Sequence, residues 1–598
     1  MNRTALRRLA AGAALSALTL AGATAVAHAA PGQPSGPKPV EVQLLALNDF
    51  HGQLEAVPET SSSGRIQTGV DAAGKPVNVP AGGVEYLATQ LAQLAEEQKK
   101  HNTITVAAGD LIGASPLLSA AFHDEPAIEA LGLAGLDYAS VGNHEFDEGA
   151  AELLRIQNGG CHPVDGCLDG TPYEGADFQY LSANAFVTDT GEPLLAPYAI
   201  DNVQGVKVGF IGMTLEDTKA IVSQQGVAGL DFADEVETAN RYAAELQAKG
   251  VETIVVLLHQ GGNQTGPDAW DVNGCNGMSG PIVDIANGMS DAIDVVVSGH
   301  THQAYNCDLD GKLVTSASSL GRLVTDIGLS IDRRTGDVLT ASANNVVVTR
   351  DVAKDPAQTA LTTRYNTALG PTADRVVGST AVALTRSQEA LGFPTSVTDA
   401  TTGTLRPALG ESHLGNVIAD AQLAATDDEA GAVAAFMNPG GVRTDLDAGP
   451  VSYREAFAVQ PFTNNLVTLD LTGAQLYCML EQQFAVGHTL YVSKSVSYVV
   501  DPNGTSAPSK EAACTGTRVV DGSLTIAGVP VAEATTYRVT VNNFLAGGGD
   551  NFSVITQGTN PVTGPVDLDA FTAYLGGNSP VPAPTLDRIR TTAEIAAG

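Results

Sequence analysis

The sequence is short of positive charge. Lys and Arg number 31 against 66 Asp and Glu in 598 residues, a formal net charge of −35 at pH 7. So acidic a chain repels polyanions, which argues against nucleic-acid polymers and anionic membranes as partners and suits an exported protein that must stay in solution. It repels small phosphates as well, so any site for them needs local cations or metal. Thiols are also few: the six Cys include no C-x-x-C spacing of a zinc or redox centre. Beyond the N-terminal segment no apolar run is long enough to cross a bilayer. No lipid-anchor tail ends the chain, and repeats, long low-complexity segments and coiled coils are missing. The expectation is a protein with no membrane association and no obligate protein partner.

Against these absences stands a well-marked N-terminus. Arg3, Arg7 and Arg8 precede an Ala-rich apolar run that closes on A-x-A at Ala27 to Ala29. That is the three-part plan of a Sec-type signal peptide over residues 1–30, with cleavage near Ala29–Ala30 and a secreted product. A Pro/Gly linker, 31–39, follows. In an oxidising compartment an even Cys count reads as three bridges. The simplest pairing joins neighbours: Cys161 with Cys167, Cys275 with Cys307, and Cys478 with Cys514. About fifteen connectivities are open to six Cys.

The length allows about two to four domains. Strand-like runs that each end on polar residues, "VQLLALNDFHG", "NTITVAAGDLIG", "YASVGNHEFD", "TIVVLLHQGG" and "DVVVSGHTHQ", alternate with helical patterns such as "GGVEYLATQLAQLAEEQKK" and "DEVETANRYAAELQAKG". Strands buried on both faces between helices predict an α/β layered domain, placed at 40–350. "AKDPAQTALTTRYNTAL" predicts a connecting helix from about Ala353 to Leu369, inside a hinge segment 351–372, and a second α/β domain occupies 373–590.

Chemistry-bearing residues cluster at the strand ends. Asp49 and His51, Asp110, Asn143 and His144, His259, and His300 and His302 each follow or close an apolar strand, and loops at carboxyl ends of parallel strands meet in one crevice. The chain holds only 11 His, and five of them are in this set. Oxygen and imidazole donors without thiolate suit Zn, Mn, Fe or Co. Seven ligands exceed one tetrahedral ion, which points to two ions sharing a carboxylate. Such ions, about 3.5–4 Å apart, are a device for in-line displacement at phosphorus.

The series D-x-H, GD, GNHEFD, H and GHTH resembles the calcineurin-like metallophosphoesterases. With the C-terminal half, about 40 to 590 resembles the secreted two-domain 5′-nucleotidases. The resemblance implies a four-layer αββα sandwich followed by a second α/β nucleotide-binding domain, and two divalent ions. Asp49, His51, Asp110 and His302 would hold one ion, and Asp110, Asn143, His259 and His300 the other, with Asp110 bridging. His302 stands where relatives carry an amide. His144 and Asp147 would be the catalytic dyad, Asp147 holding one ring nitrogen and favouring the charged imidazole. The alternative use of this stretch is a helix N-cap at Asn143, with Asp147 in the first turn.

In the C-terminal half, "MNPGGVRTDL" carries Asn438 and Arg443, "VQPFTNNL" Phe462, and "VNNFLAGGGDNF" Phe544 and Asp550. The resemblance makes the Asn and Arg substrate contacts, the two Phe a clamp for the base and the Asp a ribose ligand. Read alone, each Phe is a core residue. Relatives carry further Arg before the segment that here reads "RPALGESHLGNVIADA"; this chain offers Arg406. Ser412 reads as a helix cap and His413 as structural. The implied activity is dephosphorylation of extracellular nucleotides, with a nucleotide or nucleotide-sugar as substrate and a domain rotation about the hinge. Rival activities on the same site are 2′,3′-cyclic nucleotide phosphodiesterase and UDP-sugar hydrolase. A non-catalytic nucleotide-binding protein would show a damaged ligand set, and none of the ligands is missing.

Overall fold

The period-two alternation of the strand residues decides the layering. In the first strand, Val40–Leu47, the side chains of Val42, Leu44 and Ala46 join one buried cluster while Leu45 and Leu47 join another. A strand apolar on both faces must be covered on both. A computed structural model describes residues 38–595 apart from 60, 73, 98–101, 223–225, 371–372, 387–396, 399–404, 407–409, 463 and 593–594. The expected signal peptide and nearly all of the linker lie outside the described residues.

Two six-stranded sheets form the N-terminal half. The first runs in the order Val338–Val347, Leu323–Ile331, Val40–Leu47, Thr103–Ala108, Tyr138–Ser140, Gln179–Leu181. The second runs Ala304–Leu309, Lys312–Ala317, Val295–Ser298, Thr253–His259, Val206–Thr214, Tyr198–Val203. Four consecutive strands of each sheet pair in parallel. Between the sheets Val42, Leu44, Val106, Phe210, Val255 and Val297 make a common core. Helices Val84–Glu97 and Glu125–Leu133 cover the outer face of the first sheet, and Glu235–Ala248 and Pro281–Gly288 that of the second. The architecture is the four-layer αββα arrangement.

The connecting helix is Pro356–Leu369, three residues shorter than the sequence pattern suggests. Asp355 stops it: its side chain accepts the N–H groups of Ala357 and Gln358, and Pro356 takes the first helical position, where its missing N–H costs nothing. Leu361 and Tyr365 bury into the N-terminal core, and Tyr365 meets Phe122 edge-on at 4.9 Å.

The C-terminal half is built on a five-stranded mixed sheet ordered Tyr491–Val492, Ala434–Met437, Thr536–Asn542, Asn465–Thr472, Thr559–Val566. Phe436 packs with helix Gly473–Val486 and Met437 with helix His413–Ala424, so this sheet too is covered on both faces. Ser412 caps its helix by accepting the Gly415 N–H at 2.9 Å, and His413 bonds the Pro584 carbonyl at 2.9 Å. The cysteines pair as neighbours, Cys161–Cys167, Cys275–Cys307 and Cys478–Cys514. No described helix is long and apolar enough to cross a membrane.

One half-buried acid ties the strand Val295–Ser298 to its neighbour. Asp294 accepts the Ile254 N–H at 2.9 Å, and burial pushes its pKa up to about 6. The native state therefore keeps a proton that the unfolded chain gives up, and this group's contribution to stability falls as pH rises toward 6 and levels off above it. Asp294→Asn removes the titration. The denaturation midpoint of the wild type, relative to the variant, should drop between acid and neutral pH; a constant difference would refute the assignment.

Candidate active site

Five parallel strands deliver the polar residues to one place, and the backbone bends sharply to do so. Asp49 (φ 51°), His51 (49°), Asp110 (48°), His300 (68°) and His302 (56°) are all left-handed, a conformation costing a non-glycine residue on the order of 1–3 kcal/mol. Glycines make the room. A Cβ on Gly142 would lie 2.2 Å from Asp110 Oδ1, and one on Gly299 2.6 Å from the Ala108 carbonyl oxygen.

The side chains converge in two triads, Asp49–His51–His302 and Asp110–His259–His300, whose ligand atoms lie within 4.8 Å of one another. His302 Nε2 is 3.2 Å from Asp49 Oδ1 and 3.0 Å from His51 Nε2. His259 Nε2 is 3.0 Å from Asp110 Oδ2, and His51 Nε2 is 3.7 Å from the same oxygen. His300 Nδ1 is 3.0 Å from Asn143 Oδ1.

The tautomers show what the set is suited to hold. His51 Nδ1 donates to the Gly113 carbonyl at 2.9 Å and His259 Nδ1 to the Ala108 carbonyl at 2.8 Å. A carbonyl only accepts, so each Nε2 is left with its lone pair facing the carboxylates. In the neutral ring the buried His259 Nε2 meets Asp110 Oδ2 lone pair to lone pair, a contact that only a proton or a cation makes favourable. Inward-facing lone pairs among two buried carboxylates need a positive charge, and imidazole plus carboxylate is a donor set for borderline divalent cations. The pKa values express the same demand. Burial pulls His259 down, but Asp110 overrides it and lifts the ring to about 10. Burial dominates at His51 and His300, which fall to about 3 and about 4.

His144 adjoins both triads: a ring nitrogen lies within 4.8 Å of donor atoms of His51 and Asp110, and its ring meets His51 edge-on at 5.3 Å. Its Nδ1 is 2.7 Å from Asp147 Oδ2, and its N–H donates to Asp110 Oδ1 at 3.0 Å. Burial lowers its pKa, and Asp147 and Asp110 more than compensate, leaving it raised. The N-cap alternative fails. The segment His144–Phe146 is a short 3₁₀ turn, and Asn143 has helical φ/ψ and no capping bond. Its amide is turned to His300.

The C-terminal half supplies the other wall. Phe462 stacks on His144 with ring centroids 5.6 Å apart, and the Arg443 guanidinium lies 5.7 Å over Phe462. Asn438 donates to Asp550 Oδ2 at 3.0 Å, and Asp550 is itself left-handed at φ 52°. Phe544 packs on the core of the C-terminal sheet and against Gly549, where a Cβ would come within 2.5 Å of the ring. Arg406 closes a two-residue strand paired with Val397–Thr398; its side chain lies outside the described residues.

Residues 42–304 match the model for calcineurin-like phosphoesterases, and residues 392–557 that for the C-terminal domain of 5′-nucleotidases. The chain belongs to the 5′-nucleotidase family of phosphoesterases. It is 33% identical over 541 residues to endonuclease YhcR of Bacillus subtilis, covering 90% of this chain and 40% of that protein. It is 30% identical to the cell wall protein Lmo0130 of Listeria monocytogenes, covering 90% of this chain and 67% of the relative. Among solved structures, the 5′-nucleotidase precursor of Thermus thermophilus superposes with a TM-score of 0.70 at 27% identity, over 92% of this chain and 99% of that one. Divalent-metal phosphoester chemistry is the property of this family.

Three residues of this 5′-nucleotidase family site escape a reading of the sequence. Glu145, inside the GNHEFD motif, accepts the N–H groups of Asp110 (3.0 Å), Leu111 (2.8 Å) and Gly142. Asn48 donates to Asp49 Oδ2 at 2.5 Å and to the Ser318 carbonyl at 2.7 Å. Both adjoin motif residues, and that adjacency is the only signal they give. Arg386 donates to the Arg443 carbonyl at 2.6 Å from 57 residues away, with no motif around it. Arg443 is held below the usual arginine range by burial and then by Arg386.

The crowding at Gly142 yields a test. Gly142→Ala should push Asp110 aside and lower phosphoester hydrolysis about 100-fold, since displacing a reacting group by about 1 Å costs that much. Activity and bound metal close to wild type would show that the loop yields freely.

Proposed function

We propose that this chain is an exported 5′-nucleotidase that releases phosphate from nucleotides. One observation carries the reading: the Arg443–Phe462 pair of the C-terminal half stacks on His144, whose ring also adjoins the carboxylate–imidazole triads. The signal-like N-terminus, the three disulfides and the similarity to a cell wall protein of Listeria support export. The similarity to the 5′-nucleotidase precursor of Thermus supports the substrate class.

Asp49, His51, Asp110 and His302 would hold one divalent ion, and Asp110, Asn143, His259 and His300 the second. Such ions supply an activated water and neutralise charge on the phosphoryl group. The protein's own residues do the rest. His144, charged through Asp147, donates to a phosphoryl oxygen or to the leaving 5′ oxygen. Arg443 offers a planar fork to the phosphate, with Arg386 adding positive charge behind it. Phe462 and Phe544 would stack a base, worth about 1–3 kcal/mol each. Asp550 would accept from a ribose hydroxyl, and Asn438 would join Arg443 in contacting the substrate. Arg406 is assigned to the same phosphate subsite. The two domains are taken as 40–350 and 373–590, and the segment 351–372 as the hinge between them.

The test is phosphate release from AMP, 2′,3′-cyclic AMP and UDP-glucose after chelation and return of single divalent ions. AMP should lead, and activity should vanish on chelation. A preference for either of the other substrates would replace the assignment with that activity. His144→Ala should keep its metal and lose about 10²–10⁴-fold in turnover, while Asp110→Ala should lose metal and activity together. Equal metal loss in both variants would remove His144 from the proton-donor role.

A further inference from the structure

A second group of imidazoles and carboxylates lies beside the catalytic turn and has no part in the chemistry above. His123 occupies the turn between Leu117–Ala120 and Glu125–Leu133, with φ 50°. His162 and Asp165 sit in the loop closed by Cys161–Cys167, and Glu148 follows Asp147 directly. His123 Nε2 is 3.0 Å from Asp165 Oδ2, and His162 Nδ1 is 3.3 Å from the same oxygen. The two rings lie face to face, centroids 3.7 Å apart. We propose that His123, His162 and Asp165 bind a divalent transition-metal ion of the zinc class, separate from the ions of the catalytic centre.

Ligand spacing supports this. Donors about 2.0–2.1 Å from a tetrahedral ion stand about 3.3 Å from each other, close to the separations from both rings to Asp165. The support of the first imidazole is the stronger argument. His123 Nδ1 lies 2.9 Å from Glu148 Oε2. A carboxylate on one ring nitrogen fixes the ring and raises the basicity of the other, as is usual for a metal-binding histidine. The Gly113 and Ala108 carbonyls orient His51 and His259 in the same way. His162 Nδ1 accepts the Asp165 N–H at 3.2 Å, so it is unprotonated, and its one lone pair would exchange this long bond for the ion. Glu152 is close to His123, but Arg155 binds both its oxygens, at 3.0 and 2.9 Å from Nε, which takes it out of the ligand set.

The ion would pin three segments together: the turn at His123, the disulfide loop and, through Glu148, the turn that carries His144 and Asp147. The braced turn adjoins the catalytic centre through the backbone. Asp124, next to His123, accepts the Gly113 N–H at 3.0 Å, and the Gly113 carbonyl orients His51. The site is therefore a structural brace, and the reaction itself does not pass through it.

Zinc bound per chain decides the matter. The full-length protein would be stripped, reloaded with Zn²⁺, dialysed and analysed for metal, beside His162→Ala, Asp165→Asn and the milder His162→Gln. Each variant should bind one ion fewer than wild type, whatever number the catalytic centre holds, with phosphate release from AMP retained. Glu148→Gln should keep the ion but bind it about 10–100-fold more weakly. Equal zinc counts in wild type and all three ligand variants would overturn the proposal and leave His123 as an imidazolium bridging two carboxylates. Loss of activity without loss of an ion would overturn it too.

Discussion

The structure turns on the carboxylate of Asp110. One oxygen lies 3.0 Å from His259 Nε2 and 3.7 Å from His51 Nε2, and the other accepts the N–H of His144. A single side chain thus touches both triads and the backbone of the proposed proton donor. It is fully buried, and burial alone would raise its pKa; the surrounding imidazoles hold it well below the usual carboxylate range instead. An acid kept charged in the interior is stable only where positive charge answers it. The choice of so many histidines around it follows from that constraint.

The cost of assembling such a group is spread through the backbone. Five of the converging residues are left-handed, and Gly109, Gly142 and Gly299 give up side chains so that the His259 ring and the carboxylates of Asp110 and Asp49 can approach. Glu145 holds the Asp110 and Gly142 loops in register by accepting three N–H groups. Burial, and then repulsion from Asp110, push its pKa to about 7. Strain of this kind persists where surrounding bonds over-determine the conformation, and the rigid pair of sheets behind the loops is what over-determines it here.

Much of this was legible in the sequence, for identifiable reasons. Runs apolar at every position announced strands covered on both faces, and polar residues at the ends of those runs announced a crevice. The strands Thr103–Ala108, Tyr138–Ser140, Thr253–His259 and Val295–Ser298 lie where those runs lie. Neighbour pairing of the cysteines is the simplest of the connectivities the sequence leaves open, and it is the one found. What could not be read is what depends on tertiary approach. The same letters, Asn143 then Asp147, suit a helix cap as well as a tight turn, and the helical φ/ψ of Asn143, its missing capping bond and its contact with His300 separate them. Arg386 had no local signal because its partner is the carbonyl of a residue 57 positions on. Glu145 was overlooked because a charged residue within a polar motif reads as solvent-facing, whereas it is buried and bonds only backbone and a tyrosine hydroxyl.

The helix Pro356–Leu369 has a consequence for how the molecule can be divided. By position it is a link between halves, yet Gln358 bonds the Ala130 carbonyl at 2.8 Å, Tyr365 bonds Glu129 at 2.8 Å, and Leu361 and Tyr365 fill the N-terminal interior. Toward the other half, Asn366 meets Arg454 at 3.3 Å on the surface. An autonomous N-terminal fragment must therefore carry its own linker as a roof. Severed at residue 350, it would leave Phe122 and the face of Glu125–Leu133 open to water.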